Sequence, residues 1–130
     1  QVFPDGRMVR QKFADPVPLD QMAGSASVSY IALEKRAEVL ANLAKVHTLA
    51  AYRCAGHEYR LGAGGSLNFM MYNKLTPWDH AAGSLMMVEA GAHVAHFDGS
   101  AYKPAHMEGG LLVAGSRDSW DELRREVFTV

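Results

Sequence analysis

The chain has a single cysteine, Cys54, so an internal disulfide framework is excluded and a reducing, cytoplasmic setting is the expectation. Neither sign of charge is in excess. Thirteen lysines and arginines face fourteen acids, for a formal net charge of −1. That balance carries no electrostatic footprint for nucleic acid or for an anionic membrane surface. No apolar run approaches the roughly 20 residues that span a bilayer. No basic segment with an apolar stretch behind it opens the chain, as a secretory signal would. Internal repeats and low-complexity tracts are also lacking. The first residue is Gln1 rather than Met, which leads us to expect a processed, trimmed or truncated product.

What is present suits one domain with a real core: 130 residues, 48% apolar and 21% charged. Residues 1–13 read as extended, with a turn at Pro4-Asp5-Gly6. Residues 14–30 hold Pro16, Pro18 and Gly24 and read as loop, so 1–30 is expected to be an extended segment and connector, and 31–130 an α/β domain. Over 31–46 the spacing predicts a helix with Leu33, Ala37, Leu40 and Ala44 on one face, widened by Ala41, Leu43 and Val46. A short strand is expected over 48–53, a short helix from Gly56 to about Ala63, and a strand over 67–72. The strongest helix is 77–90. The stretch "AHVAHF" reads as a strand, Asp98-Gly99 as a tight turn, and "GGLLVAG" as a buried strand. The terminal helix carries Ser116 and Asp118 at its start and Arg124 and Arg125 late, as the helix dipole favours. Strands and helices alternate, so the fold class is α/β with a mixed sheet flanked by helices.

The stretch "LTPWDHAAG" holds the candidate with chemistry in it. Thr76 suits an N-cap, Pro77 the first helical position and Asp79 the third, a pattern close to a capping box. Local structure alone therefore explains Asp79. Trp78 adds the expectation that this helix end is packed into protein, where a carboxylate wants a cation or donors. Ala81, Ala82 and Gly83 would let a backbone or ligand come close.

Other candidates are weaker. "HVAH" places His93 and His96 three apart in a strand, on opposite faces, so one ion cannot easily take both. No second Cys or His pair stands at finger spacing. "GAGGS" lacks the Gly-Lys-Ser/Thr of a phosphate loop and reads as a turn. Cys54 has no base placed beside it and reads as a buried thiol, and Met70, Met71, Met86 and Met87 read as core or interface filler.

"LTPWDHAAGSLMMVEAGAHVAHFDGSAY" resembles the C-terminal signature of the inositol monophosphatase family of magnesium-dependent, typically lithium-sensitive phosphatases. Pro77, Trp78, Asp79, Ala81, Ala82, Gly83, Glu89, Ala90 and Gly91 carry the match, with Ala92 where a second glycine is usual. Upstream, Arg53 and Gly56 fit an Arg-x-x-Gly-Ser-Ala-Ala pattern, while His57 and Glu58 depart from it. Tyr72 stands where the family has a substrate-binding Glu.

The resemblance implies the C-terminal half of a sandwich of sheets and helices, with its active site between two halves. It implies Asp79 as a Mg²⁺ ligand, and Gly56, His57, Glu58 and Tyr72 at the substrate. The complete family site would hold roughly two or three Mg²⁺ ions. The Gly-Glu-Glu and Asp-Pro-x-Asp-Gly-Thr motifs, which supply most of the other ligands, are missing. "FPDGR" is not the latter, because it lacks the first Asp and the Thr.

The expected function is therefore that of the C-terminal domain of a phosphomonoesterase for a small polyol or sugar phosphate, inactive without its N-terminal half. Its expected partners are a small phosphorylated metabolite, that missing half and, for a homodimer, a second copy. The alternative is a non-catalytic binding or assembly module that keeps the fold.

Overall fold

The computed structural model describes residues 1–130. Five strands form one mixed sheet: β1 (Ala23–Ala26), β2 (Thr48–Ala50), β3 (Phe69–Tyr72), β4 (His93–Ala95) and β5 (Leu111–Ala114). Their order is β2-β1-β3-β5-β4. β1 runs parallel to β2 and β3, while β5 is antiparallel to both β3 and β4. Helices α1 (Leu33–Leu43), α2 (Ala55–Ala63), α3 (Pro77–Glu89) and α4 (Arg117–Glu126) flank it. This is the mixed α/β class the alternation predicted. No helix is long and apolar enough to cross a membrane.

The sheet has a core on each face. On one, Phe69, Met71, Leu112 and Ala114 meet Val39 and Leu43 of α1 and Trp120 and Leu123 of α4. On the other, Met70, Tyr72, Leu111 and Val113 meet Tyr59 of α2 and Met87 of α3. Every residue of β3 and β5 is buried. Such strands read as continuous apolar runs because both faces are covered.

Three local readings are corrected by tertiary context. The segment 14–30 is not loop throughout, because Ala23–Ala26 is a strand between β2 and β3. Its sequence, AGSA, lacks β-branched and aromatic residues, so propensity does not announce it. Gly24 serves close approach rather than a turn: a Cβ there would sit within the Phe69 ring. In α1 the inward face is Val39 and Leu43, while Leu33 is 76% and Leu40 is 47% exposed. Trp78, expected to be packed at the start of α3, is 82% exposed.

The ends of the elements follow the sequence more closely. Ser116 caps α4, its hydroxyl accepting from the Ser119 N–H at 3.1 Å. Gly99 takes φ 83° in the turn after β4. Thr76 does occupy the N-cap of α3, with Pro77 following. Its hydroxyl, however, accepts no backbone N–H and instead donates to the Asp79 carboxylate.

α2 and α3 meet through Gly83, whose missing side chain is replaced by the Tyr59 ring; a Cβ there would fall inside that ring. The space freed by the small residues of α3 thus takes an aromatic ring from within the chain. Gly83→Ala is expected to destabilise the fold by about 1–3 kcal/mol through overpacking. Denaturant midpoints of the two proteins, at an unchanged m-value, measure this.

Candidate functional site

The three parallel strands β1, β2 and β3 end on the same edge of the sheet, and the chain passes from β1 to strands on either side of it. In open α/β sheets that edge is where crevices form. A cleft of about 450 Å³ lies there. It is bounded by the end of β1 and the segment after it (residues 26–30), the turn into α2 with its first residues (Arg53 to Gly56), the end of β3 at Tyr72, and the start of α3.

Its charged lining is mixed. Arg53 and Lys74 contribute cations, and Glu58 and Asp79 contribute carboxylates. Lys74 Nζ lies 5.5 Å from the centre of the Tyr30 ring. Arg53 holds φ 54°, the only non-glycine residue at positive φ. Such a conformation costs on the order of 1–3 kcal/mol and persists only where surrounding structure imposes it. The first turns of α2 and α3 both border the cleft, so two helix N-termini with their partial positive charge face it.

The two carboxylates sit in different surroundings. Asp79 is exposed, and Thr76 Oγ1 donates to one of its oxygens, Oδ2. Glu58 is only 3% exposed. Its Oε1 accepts the Tyr52 N–H at 3.2 Å. Below them is an aromatic floor. Tyr59 OH lies 3.0 Å from His80 Nδ1, and the Tyr72 ring centre is 4.6 Å from His80 and 5.3 Å from Tyr59. Burial holds the His80 pKa below its ordinary value, against the Lys74 backbone and the Asp79 charge. Burial, then Tyr59 and Glu58, push the Tyr72 phenol far up, so it stays a neutral hydroxyl.

Of the residues read from sequence, Gly56, Glu58, Tyr72 and Asp79 all line this cleft. His57 does not: it is exposed and outside the lining. One residue along the first turn of a helix rotates a side chain by roughly 100°, which separates His57 from Glu58. Cys54, expected to be buried, is exposed at the cleft wall. Its position just before α2 places it in a connecting turn instead of in the core. Sequence reasoning missed Lys74, His80 and Tyr30. The first two flank the Thr76–Asp79 signature, which was a usable signal; Tyr30 reaches the cleft only through the fold.

Asp79 suits a hard divalent cation, with one oxygen engaged by the chain. Mg²⁺ is commonly held by one or two carboxylates, waters and a substrate phosphate. No three His, Cys, Asp or Glu side chains gather as a metal-holding group anywhere in the chain. The residues of the cleft therefore fit one ligand of a shared ion and not a self-contained metal centre.

An α/β domain with a mixed-charge cleft at the carboxyl ends of its parallel strands has its candidate ligand site at that edge. The inositol monophosphatase family model matches residues 6–128, and the chain belongs to that family. No curated protein sequence matches it. Solved structures do. The IMPase of Thermotoga maritima is 19% identical, with TM-score 0.75 over 93% of this chain and 46% of that one. An inositol monophosphatase from Anabaena is 22% identical, TM-score 0.75, over 92% and 48%. Staphylococcal IMPase-II bound to inositol monophosphate is 20% identical, TM-score 0.77, over 92% and 46%. The chain thus spans about half the length of the structures it matches.

His93 and His96 point away from each other, as the strand period requires. His93 meets Trp120 edge-on at 5.7 Å, and His96 lies near Tyr102 on the other face. Burial, then Arg117, hold the His93 pKa below 6.5, with Asp121 opposing. His93 thus folds as the neutral ring. Above pH 6.5 both folded and unfolded chains carry it neutral, and as pH falls below 6.5 the unfolded chain takes up the proton first. Stability is therefore expected to drop as pH falls from about 6.5 toward the folded-state value. His80, lowered in the same direction, adds to the slope. Unfolding free energies at pH 7.5 and 5.5 check this. His93→Phe should flatten part of the difference.

Proposed function

We propose that this chain is the C-terminal half of a Mg²⁺-dependent phosphomonoesterase acting on a small polyol or sugar phosphate, completed by an N-terminal half. The observation that carries the reading is Asp79 at the start of α3, bordering the same cleft as Glu58 and Gly56 at the carboxyl ends of the parallel strands. Family membership supports phosphatase chemistry. The likeness to staphylococcal IMPase-II, solved with inositol monophosphate, supports the substrate class.

In this reading the chain's own residues bind and orient. Asp79 offers a carboxylate to a cation shared with the other half, and Thr76 holds it by donating to Oδ2. Bound Mg²⁺ supplies charge for phosphate and activation of water. Arg53 and Lys74 compensate phosphate charge, and Gly56 in the first turn of α2 lets a ligand approach backbone N–H groups. Glu58 accepts from a substrate hydroxyl, and Tyr72 closes the floor as a neutral phenol. His57 is exposed outside the lining, next to Glu58 in the first turn of α2. A homodimer and a cytoplasmic setting complete the proposal.

The test expresses the chain with the preceding half that this reading requires and follows phosphate release from inositol monophosphate. Mg²⁺-dependent release is expected in the pair and absent from the chain alone. Asp79→Asn should lower it by roughly 100-fold or more, the scale on which a preorganised electrostatic group acts. Family-like turnover by the chain alone would overturn the division of the site. Partner association with no metal effect would favour a non-catalytic binding module.

A further inference from the structure

A second group of titratable side chains lies outside the cleft, in the segment between β4 and β5. His96 is 3% exposed. Its Nδ1 is 2.8 Å from the Gly110 carbonyl oxygen. A carbonyl can only accept, so Nδ1 carries the proton, and in the neutral ring the lone pair is on Nε2. That buried Nε2 has no hydrogen-bond partner in the protein, and the buried hydroxyl of the neighbouring Tyr102 has none either. Their rings are 5.6 Å apart. Two buried polar atoms without protein partners on neighbouring rings take a water or a ligand, or cost about 1–3 kcal/mol each.

The segment brings a second imidazole to the same place. The His106 ring centre is 5.9 Å from that of His96. With nitrogen-to-zinc distances of about 2.0–2.1 Å, two imidazoles sharing one ion have ring centres roughly 5–6 Å apart. The backbone holds His106 there from both sides. Its N–H donates to Lys103 O at 2.9 Å, Leu75 N–H to Met107 O at 3.2 Å, and Phe97 N–H to Gly109 O at 3.1 Å. Gly110, at φ 62°, turns the chain under the Phe97 ring and aims its carbonyl at His96.

A histidine that donates one ring N–H to a backbone carbonyl and leaves the other nitrogen open is the usual outer arrangement of a metal-ligating imidazole. We propose that His96 and His106 form a binding site for one borderline transition-metal dication such as Zn²⁺. Waters complete the coordination, and the Tyr102 hydroxyl hydrogen-bonds one of them. Imidazole nitrogen selects Zn²⁺, Cu²⁺ or Ni²⁺ over Mg²⁺, so this site does not compete for the ion of the cleft. The site uses no residue of the proposed phosphatase machinery and stands or falls separately from it.

Titration calorimetry of the untagged 130-residue chain with Zn²⁺ tests the site. One equivalent should bind, unaffected by excess Mg²⁺. His106 is exposed, so His106→Ala leaves the fold intact and should weaken binding at least about tenfold. Cys54→Ser and His47→Gln, which remove other exposed zinc donors, should leave it unchanged. In ¹⁵N spectra Zn²⁺ should move the His96 Nε2 resonance while Nδ1 stays protonated. No uptake, uptake indifferent to His106→Ala, or uptake lost in Cys54→Ser would overturn the proposal.

Discussion

The contact on which the site depends is the seating of the Tyr59 ring against Gly83. It brings α2 and α3 together to a distance that any side chain at 83 would forbid. Because both helices begin at the same edge of the sheet, that closeness sets their N-termini side by side. Glu58 and Asp79, each in a first turn, are thereby delivered to one cleft. The Tyr59 hydroxyl then meets His80 Nδ1, so the ring that spaces the helices also anchors the residue after Asp79. A glycine with no chemistry of its own fixes where the carboxylates stand.

From that arrangement follows a division between two like groups. Glu58 is buried beside Tyr72 and takes a backbone N–H, whereas Asp79 stands in solvent with Thr76 on one oxygen. A buried carboxylate gains most from donors, and an exposed one can meet a hydrated cation at less cost. Arg53 and Lys74 add positive charge to the same walls, so the cleft carries both signs.

Much of this was legible in the residues. The Pro77-to-Gly91 signature located α3, Asp79 and the family, and the apolar runs located β3 and β5. Less legible was whatever depended on neighbours far along the chain. β1 has the composition of a loop and is a strand because β2 and β3 pair with it on both sides. α1 turns Val39 and Leu43 inward and leaves Leu33 and Leu40 exposed, because the face that holds Val39 joins the core shared by the sheet and α4. Trp78, whose size beside the cap predicts a packed helix end, stands 82% exposed.

By itself the sequence determined most of the alternation of elements, the Ser116 cap, the Asp98-Gly99 turn and the opposite facing of His93 and His96. These rest on local rules: side-chain period, φ preference and short motifs. Only the tertiary structure decided that Glu58 lines the cleft while His57 stands exposed outside its lining. It also brought His106 to His96 and made Gly83 the spacer of two helices. Those outcomes rest on contacts between residues distant in sequence, where shape and burial override local preference.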